Sequence, residues 1–239
     1  MELKERELFE YMKCPMRYYL YKKGHNLDEN KTYKELCYEA VNSNISARCN
    51  GMKHDANTLK RKWDTLAKEN IDTLGIKKVT DGWGLVYRTY EYIELFNLKF
   101  LDTNTTYRLE LPGTGVSLVG VLNPLIDRGD YIEVFVPYFG RTMPERISID
   151  TKLKYTIQAL AIKKMFNKDC IITYYVPAQG KTIETLRSTQ DFKKLESILK
   201  MIGKSIASNI IYPRENILCS SCVARHMCKS WTGIEEEKR

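Results

Sequence analysis

Histidine is scarce in this chain: His25, His54 and His226 are the three among 239 residues. None stands with a serine or cysteine in a pattern that suits nucleophilic catalysis. No apolar run approaches the roughly 18 residues of a membrane span. Internal repeats and low-complexity tracts are missing as well, which argues against solenoids and disordered linkers. Pro112-Gly113-Thr114-Gly115 is followed by neither a helix start nor Lys-Ser/Thr, so it reads as a hairpin turn and not a phosphate loop. Met1-Glu2-Leu3-Lys4-Glu5-Arg6 has no secretory signature, and the seven cysteines are an odd number. Both features point to a cytoplasmic or other reducing compartment, with no membrane association.

What is present is basic and aromatic. Lys and Arg outnumber Asp and Glu by 38 to 30, a formal charge of +8, and there are 16 tyrosines. Such a surface suits nucleic acid, although a solvated surface with a lysine excess has the same composition. Lys60-Arg61-Lys62-Trp63 is the densest basic and aromatic run. It suits contact with a nucleic-acid backbone, or a charged helix face over one buried tryptophan.

Four cysteines carry the strongest pattern. Cys14 lies near the start, and Cys219, Cys222 and Cys228 near the end, in a 1 + 3 arrangement. Four soft thiolates so arranged suit a [4Fe–4S] cluster. A closed tetrahedral zinc site is an alternative, and disulfides are a third. His226, inside the C-terminal set, reads as a neighbour of the site and not a ligand. Cys37, Cys49 and Cys170 read as small buried residues. One shared cluster makes residues 1–239 a single closed domain.

The periodicity divides the chain into three parts. Residues 1–101 read as a helical region, with segments at Glu2–Tyr11, Pro15–Tyr21, Thr32–Ala47, Asp55–Ile71 and Thr80–Leu101. Residues 102–211 read as a mixed α/β core. It opens with an antiparallel meander of Thr105–Leu111, Val116–Ile126 and Tyr131–Val136. A helix at Asp150–Phe166, strands at Ile171–Val176 and Lys181–Arg187, and a helix at Thr189–Ile211 follow. Residues 212–239 form a cysteine-bearing tail that Cys14 completes.

This order of parts resembles the PD-(D/E)XK (restriction-endonuclease-like) nuclease superfamily. The likeness is to its RecB-like branch with an iron–sulfur cluster, which includes CRISPR-associated exonucleases and AddB-type nuclease domains. The resemblance is carried by Cys14-Pro15-Met16-Arg17-Tyr18-Tyr19-Leu20-Tyr21, and by Tyr212-Pro213-Arg214 ahead of Cys219, Cys222 and Cys228. It implies a cluster held by those four cysteines and joining the two ends of the chain. The family's catalytic motifs are only partly matched. Asn123, in Gly120-Val121-Leu122-Asn123, stands where an aspartate is expected. Glu133-Val134-Phe135 stands for (Asp/Glu)-x-Lys, and Gln158 with Ile162 for a glutamine and a tyrosine four residues on.

The family cuts phosphodiesters with magnesium or manganese held by two carboxylates, which lowers the pKa of a bound water. Asn123 is neutral and Phe135 apolar, so Glu133 is left as a lone carboxylate. An active site requires Asp127 as the second metal ligand, with Lys152 or Lys154 in place of the missing lysine. The leading expectation is therefore a non-cleaving nuclease fold. It binds nucleic acid through Lys60, Arg61, Lys62, Lys152 and Lys154, as part of a replication, recombination or transcription assembly. An active Mg/Mn-dependent exonuclease or endonuclease, and a protein-interaction scaffold without nucleic acid, are the alternatives.

Overall fold

The computed structural model describes residues 1–25, 27, 31–52, 54–111 and 113–228. In chain order the elements are β1 (Glu2–Lys4), α1 (Glu5–Lys13), α2 (Pro15–Lys22), α3 (Tyr33–Cys49), α4 (Ala56–Leu74), α5 (Ile76–Leu95), β2 (Thr106–Leu111), β3 (Val116–Val121), β4 (Leu125–Asp127), β5 (Tyr131–Pro137), α6 (Arg146–Asp150), α7 (Leu153–Phe166), β6 (Asp169–Val176), β7 (Lys181–Leu186) and α8 (Thr189–Ala207). Two short 3-10 turns follow at Ile217–Ser221 and Arg225–Met227. The described residues form two compact units, each drawn from separated stretches: one within 1–29, 108–120 and 196–239, the other within 30–107 and 121–195. No described helix is long and apolar enough to cross a membrane.

The first unit holds a three-stranded sheet in the order β1-β3-β2, with β1 parallel to β3. Residues 2–4, expected in a helix, are instead extended against Ser117–Val119. The helix begins only at Glu5. There the Lys4 backbone N–H donates to Glu7 Oε2 at 2.9 Å, and Glu5 and Glu7 complement the positive helix end. Pro15 occupies the first turn of α2, where its missing N–H costs nothing. Cys14 is thereby left as an extended joint between two helices.

The second unit holds a four-stranded sheet in the order β4-β5-β6-β7, with β5 and β6 parallel and both outer pairings antiparallel. α7 makes the crossover between the two parallel strands, as a parallel pair requires. α3 starts at a capping box of Thr32 and Glu35, and α4 at Asp55, whose carboxylate accepts from the Thr58 N–H at 2.9 Å. With α5 these helices bury Leu36, Ile45, Trp63, Val86 and Ile93 in one cluster with Phe135 and Tyr175. Trp63 is 1% exposed, so the aromatic of the basic run is core.

The expected three-stranded meander does not form. Val116–Ile126 is two strands in two different sheets, β3 and β4, separated by Leu122-Asn123-Pro124. Pro124 has no N–H to give a ladder, and the residue before a proline is itself restricted. The Leu122 N–H turns to Thr105 O at 2.8 Å. Period-2 alternation alone does not register such a change of sheet.

Candidate cysteine centre and basic groove

In the first unit, Cys14, Cys219, Cys222 and Cys228 all line one cavity of about 170 Å³. The strands of chain on either side are stitched by hydrogen bonds. Met16 N donates to Tyr212 O at 3.1 Å, Asn216 Nδ2 to Lys13 O at 3.1 Å, and an Arg214 guanidinium nitrogen to Met12 O at 3.0 Å. Three donors face the sulfurs. The Arg214 N–H points at Cys14 Sγ and the Asn216 N–H at Cys219 Sγ, both at 3.4 Å, and Arg17 reaches Cys222 Sγ at 3.9 Å. Arg17 is held in place by Glu10 at 2.5 Å and by Leu27 O at 3.3 Å. Leu20, Leu27 and Ala224 close an apolar floor with Met16, Val223 and Met227. None of the seven cysteines is in a disulfide.

This donor set fits a group bound through sulfur, because hydrogen bonds to the ligand sulfurs are part of how such groups are held and tuned. Among the described residues no three His, Cys, Asp or Glu side chains converge on a point that a single ion could occupy. The thiols surround a space instead. His226 is not among the residues that line it. Cys37 and Cys170 are buried, and burial pushes both thiols up to about 12, so they are inert neutral packing groups. Cys49 is partly buried, and burial raises its pKa too.

In the second unit, a groove of about 720 Å³ is lined by Lys34, Lys62, Lys152 and Lys154, by Tyr38, Tyr138, Tyr155 and Tyr174, and by Asn42, Asn104 and Asn123. Asn123 sits at its floor. Its N–H donates to Gln158 Oε1 at 3.5 Å, and Gln158 Nε2 donates to Asn123 Oδ1 and Val121 O at 3.4 Å each. Gln158, fully buried, lies in the second turn of α7 and not at its start; Ile162, one turn on, is buried.

Glu133 is elsewhere. It pairs with Ile126, and the ladder extends by the Phe135 N–H to Pro124 O bond at 2.9 Å. Asn123 therefore falls opposite Val136, and directly opposed residues share a face. Glu133 and Phe135 occupy the other face. Phe135 is fully buried in the helix-packed core, and Glu133, 8% exposed, is ion-paired to Arg128 at 2.7 Å. Counting two residues at a time from Asn123's partner, the groove face of β5 continues through Val136 to Tyr138. Asp127 is the last residue of β4, paired with Ile132 of β5. The Lys168 ammonium, 2.7 Å away, and the Gly129 N–H hold its carboxyl below the usual range.

Of the five basic residues singled out from sequence, Lys62, Lys152 and Lys154 line this groove, whereas Lys60 and Arg61 do not. Lys60 is paired with Asp64 and lies over the Trp83 ring, and Arg61 bonds Thr58 Oγ1 at 3.2 Å. Sequence reasoning missed Lys34, Asn42, Tyr138, Tyr155 and Tyr174. The available signals were Asn123-Pro124, which ends one strand and offsets the next, and the stop at Tyr138-Phe139-Gly140 after β5. It also missed Arg17, whose signal was its position one helical turn after Cys14.

No protein-family model and no curated protein matches the chain. Solved structures do. A crystal structure of a candidate exonuclease from Eubacterium rectale aligns with a TM-score of 0.59 at 11% identity, covering 94% of this chain and 87% of that one. A structure of the protein SSO0001 aligns at a TM-score of 0.40 and 14% identity, covering 95% and 94%. The first likeness is one of fold: this chain has a mixed α/β, nuclease-like architecture.

Proposed function

We propose that this chain is a nucleic-acid-binding protein on a RecB-like PD-(D/E)XK nuclease fold that does not itself cut phosphodiesters. It lays a strand, DNA in preference to RNA, in the groove of the second unit. It works as a binding subunit of a larger replication, recombination or transcription assembly in a reducing compartment. The observation that carries the reading is the groove's lining: four lysines and four tyrosines surround Asn123 and Val136. Lysines neutralise phosphates and tyrosine faces take bases. The acidic side chains of the lining are Glu35, which caps α3, and Glu39, which is paired with Lys31 at 2.7 Å. Both carboxylates are thus engaged by other groups, whereas a hard cation needs carboxylates turned toward it. Glu133 and Asp127 are engaged by Arg128 and Lys168, away from the groove.

Cys14, Cys219, Cys222 and Cys228 are proposed to hold a [4Fe–4S] cluster. Support comes from their shared cavity and from the N–H groups directed at Cys14 and Cys219. When bound, the cluster supplies four iron–thiolate bonds that couple metal binding to folding of the first unit.

A salt titration of oligonucleotide binding, run beside a digestion assay with magnesium or manganese, tests the function. The expected result is a steep salt slope with no cleavage above background. Robust metal-dependent cutting abolished by Glu133→Ala or Asp127→Ala overturns the non-cleaving reading, and absence of binding overturns the nucleic-acid reading.

A further inference from the structure

Arg17 brings a buried charge to the cysteine centre. Its side chain is 11% exposed, and that of its partner Glu10 is 9% exposed. Taking two ions out of water is costly, so such a pair is weak evidence of a purely stabilising role. The guanidinium is fixed on three edges. Nε donates to Glu10 Oε2 at 2.5 Å, Nη2 donates to Leu27 O at 3.3 Å, and Nη1 faces Cys222 Sγ at 3.9 Å. The other oxygen of Glu10 takes Lys13 Nζ at 3.0 Å. Carboxylate and sulfur therefore meet the guanidinium at different nitrogens. Arg17 lines the cysteine cavity and Glu10 does not, so the pair turns its positive end to the thiols.

The rest of the cavity wall has the same sign. Among the described residues it carries Lys13, Arg17, Arg214 and Arg225, against Glu215 as the one carboxylate. A wall of this kind suits a group of net negative charge. Four thiolates around an iron–sulfur core make such a group, and each added electron makes it more negative.

We propose that Arg17 tunes the group held by Cys14, Cys219, Cys222 and Cys228: oriented by Glu10 and Leu27 O, its guanidinium favours the state with one more electron and so raises the one-electron reduction potential. The electron comes from an external low-potential donor. Arg17 makes and breaks no bond, and acts by stabilising added charge on the sulfurs. The inference rests on the cluster reading of the four cysteines. Glu10 works in the opposite sense, because its carboxylate disfavours added electron density while it holds the guanidinium in place. The two members of one ion pair thus shift the potential in opposite directions. A merely structural pair has no such signature.

The test uses the full chain, purified anaerobically. Iron is measured on each variant, and each is titrated with dithionite while electron paramagnetic resonance follows the reduced cluster. Arg17→Gln should lower the equilibrium constant for reduction about tenfold, which is about 59 mV for one electron. Arg17→Lys keeps the charge without the planar fork, and its potential should fall between those of wild type and Arg17→Gln. Glu10→Gln keeps an acceptor for Arg17, and its potential should rise above wild type. With iron bound, an unmoved potential in Arg17→Gln overturns the inference and leaves the cluster reading standing. So does a potential lowered in both Arg17→Gln and Glu10→Gln. Should Arg17→Gln purify without iron, Arg17→Lys and Glu10→Gln decide: opposite shifts support the inference, and shifts of one sign or none end it. Wild-type protein without iron overturns the cluster reading, and the inference falls with it.

Discussion

The backbone N–H of Arg214 points at the sulfur of Cys14, 3.4 Å away and 200 residues apart in sequence. Arg214 also reaches back to Met12 O, and Asn216 to Lys13 O, so the first cysteine is held against the segment that carries the other three. The cysteine frame in the sequence is thus a spatial frame within one unit.

Anaerobically purified protein should contain about four irons per chain and absorb broadly in the visible range. Cys14→Ala should lose most of that iron and lower the melting temperature sharply, since cluster binding and folding of the first unit are coupled. Iron and zinc analysis checks both chains. Stoichiometric zinc without iron would reassign the metal.

Phe135→Lys, the change that restores a lysine at the sequence-level motif, should not produce a nuclease even when combined with Asn123→Asp. Phe135 is fully buried and stacks near Tyr92 and Tyr175. A lysine there is unpaired in an apolar core, and the expected cost is at least about 3 kcal/mol by denaturant unfolding. Glu133→Gln should instead leave oligonucleotide binding unchanged. It should cost roughly 1–3 kcal/mol, because it weakens the bond to Arg128 without emptying the site. A change in binding with Glu133→Gln would place that residue at the groove after all.

Gly82→Ala offers a test of the helical layer. A Cβ at Gly82 would lie 2.6 Å from Trp63 Cη2 and 2.8 Å from Cζ2. Alanine improves helix propensity by about 1 kcal/mol, but overpacking a buried indole costs roughly 1–3 kcal/mol. The clash should win, and urea unfolding should show net destabilisation. A stabilised variant would mean that Trp63 can move.

Lys152→Met should stabilise the unliganded protein slightly while weakening nucleic-acid binding. The folded pKa of Lys152 lies below its ordinary 10.5, mainly through desolvation. Its charge therefore opposes folding in full below the folded pKa. The penalty fades as pH rises from the folded value toward 10.5, because the unfolded chain then holds more protons than the folded one. Its size should stay below about 1 kcal/mol, since the side chain is partly screened by water. Chemical unfolding at pH 7 and pH 10 checks the sign: the gap between variant and wild type should narrow at the higher pH.

Much of the architecture was legible in local chemistry. Thr32 and Glu35, Asp55, and Pro15 announce helix starts because capping is decided within one turn. β6 and β7 pair antiparallel as their alternation and short turn require. The 1 + 3 cysteines share a cavity, and Lys62, Lys152 and Lys154 share a groove. What the sequence left open was register: one ladder bond, from Phe135 to Pro124, puts Val136 opposite Asn123. Because side chains alternate, an odd offset moves a residue to the opposite face, which sends Glu133 and Phe135 to the core side.

Composition and spacing by themselves determined that the chain is a basic α/β protein with a four-cysteine frame, since charge, periodicity and cap residues act over a few positions. Tertiary structure alone decided that Glu2–Lys4 is a strand, that Val116–Ile126 divides between two sheets, and which face of β5 meets the lysines of α7. Those outcomes depend on which distant backbone groups pair. Strand pairing is set by partners remote in sequence, and no local propensity encodes them.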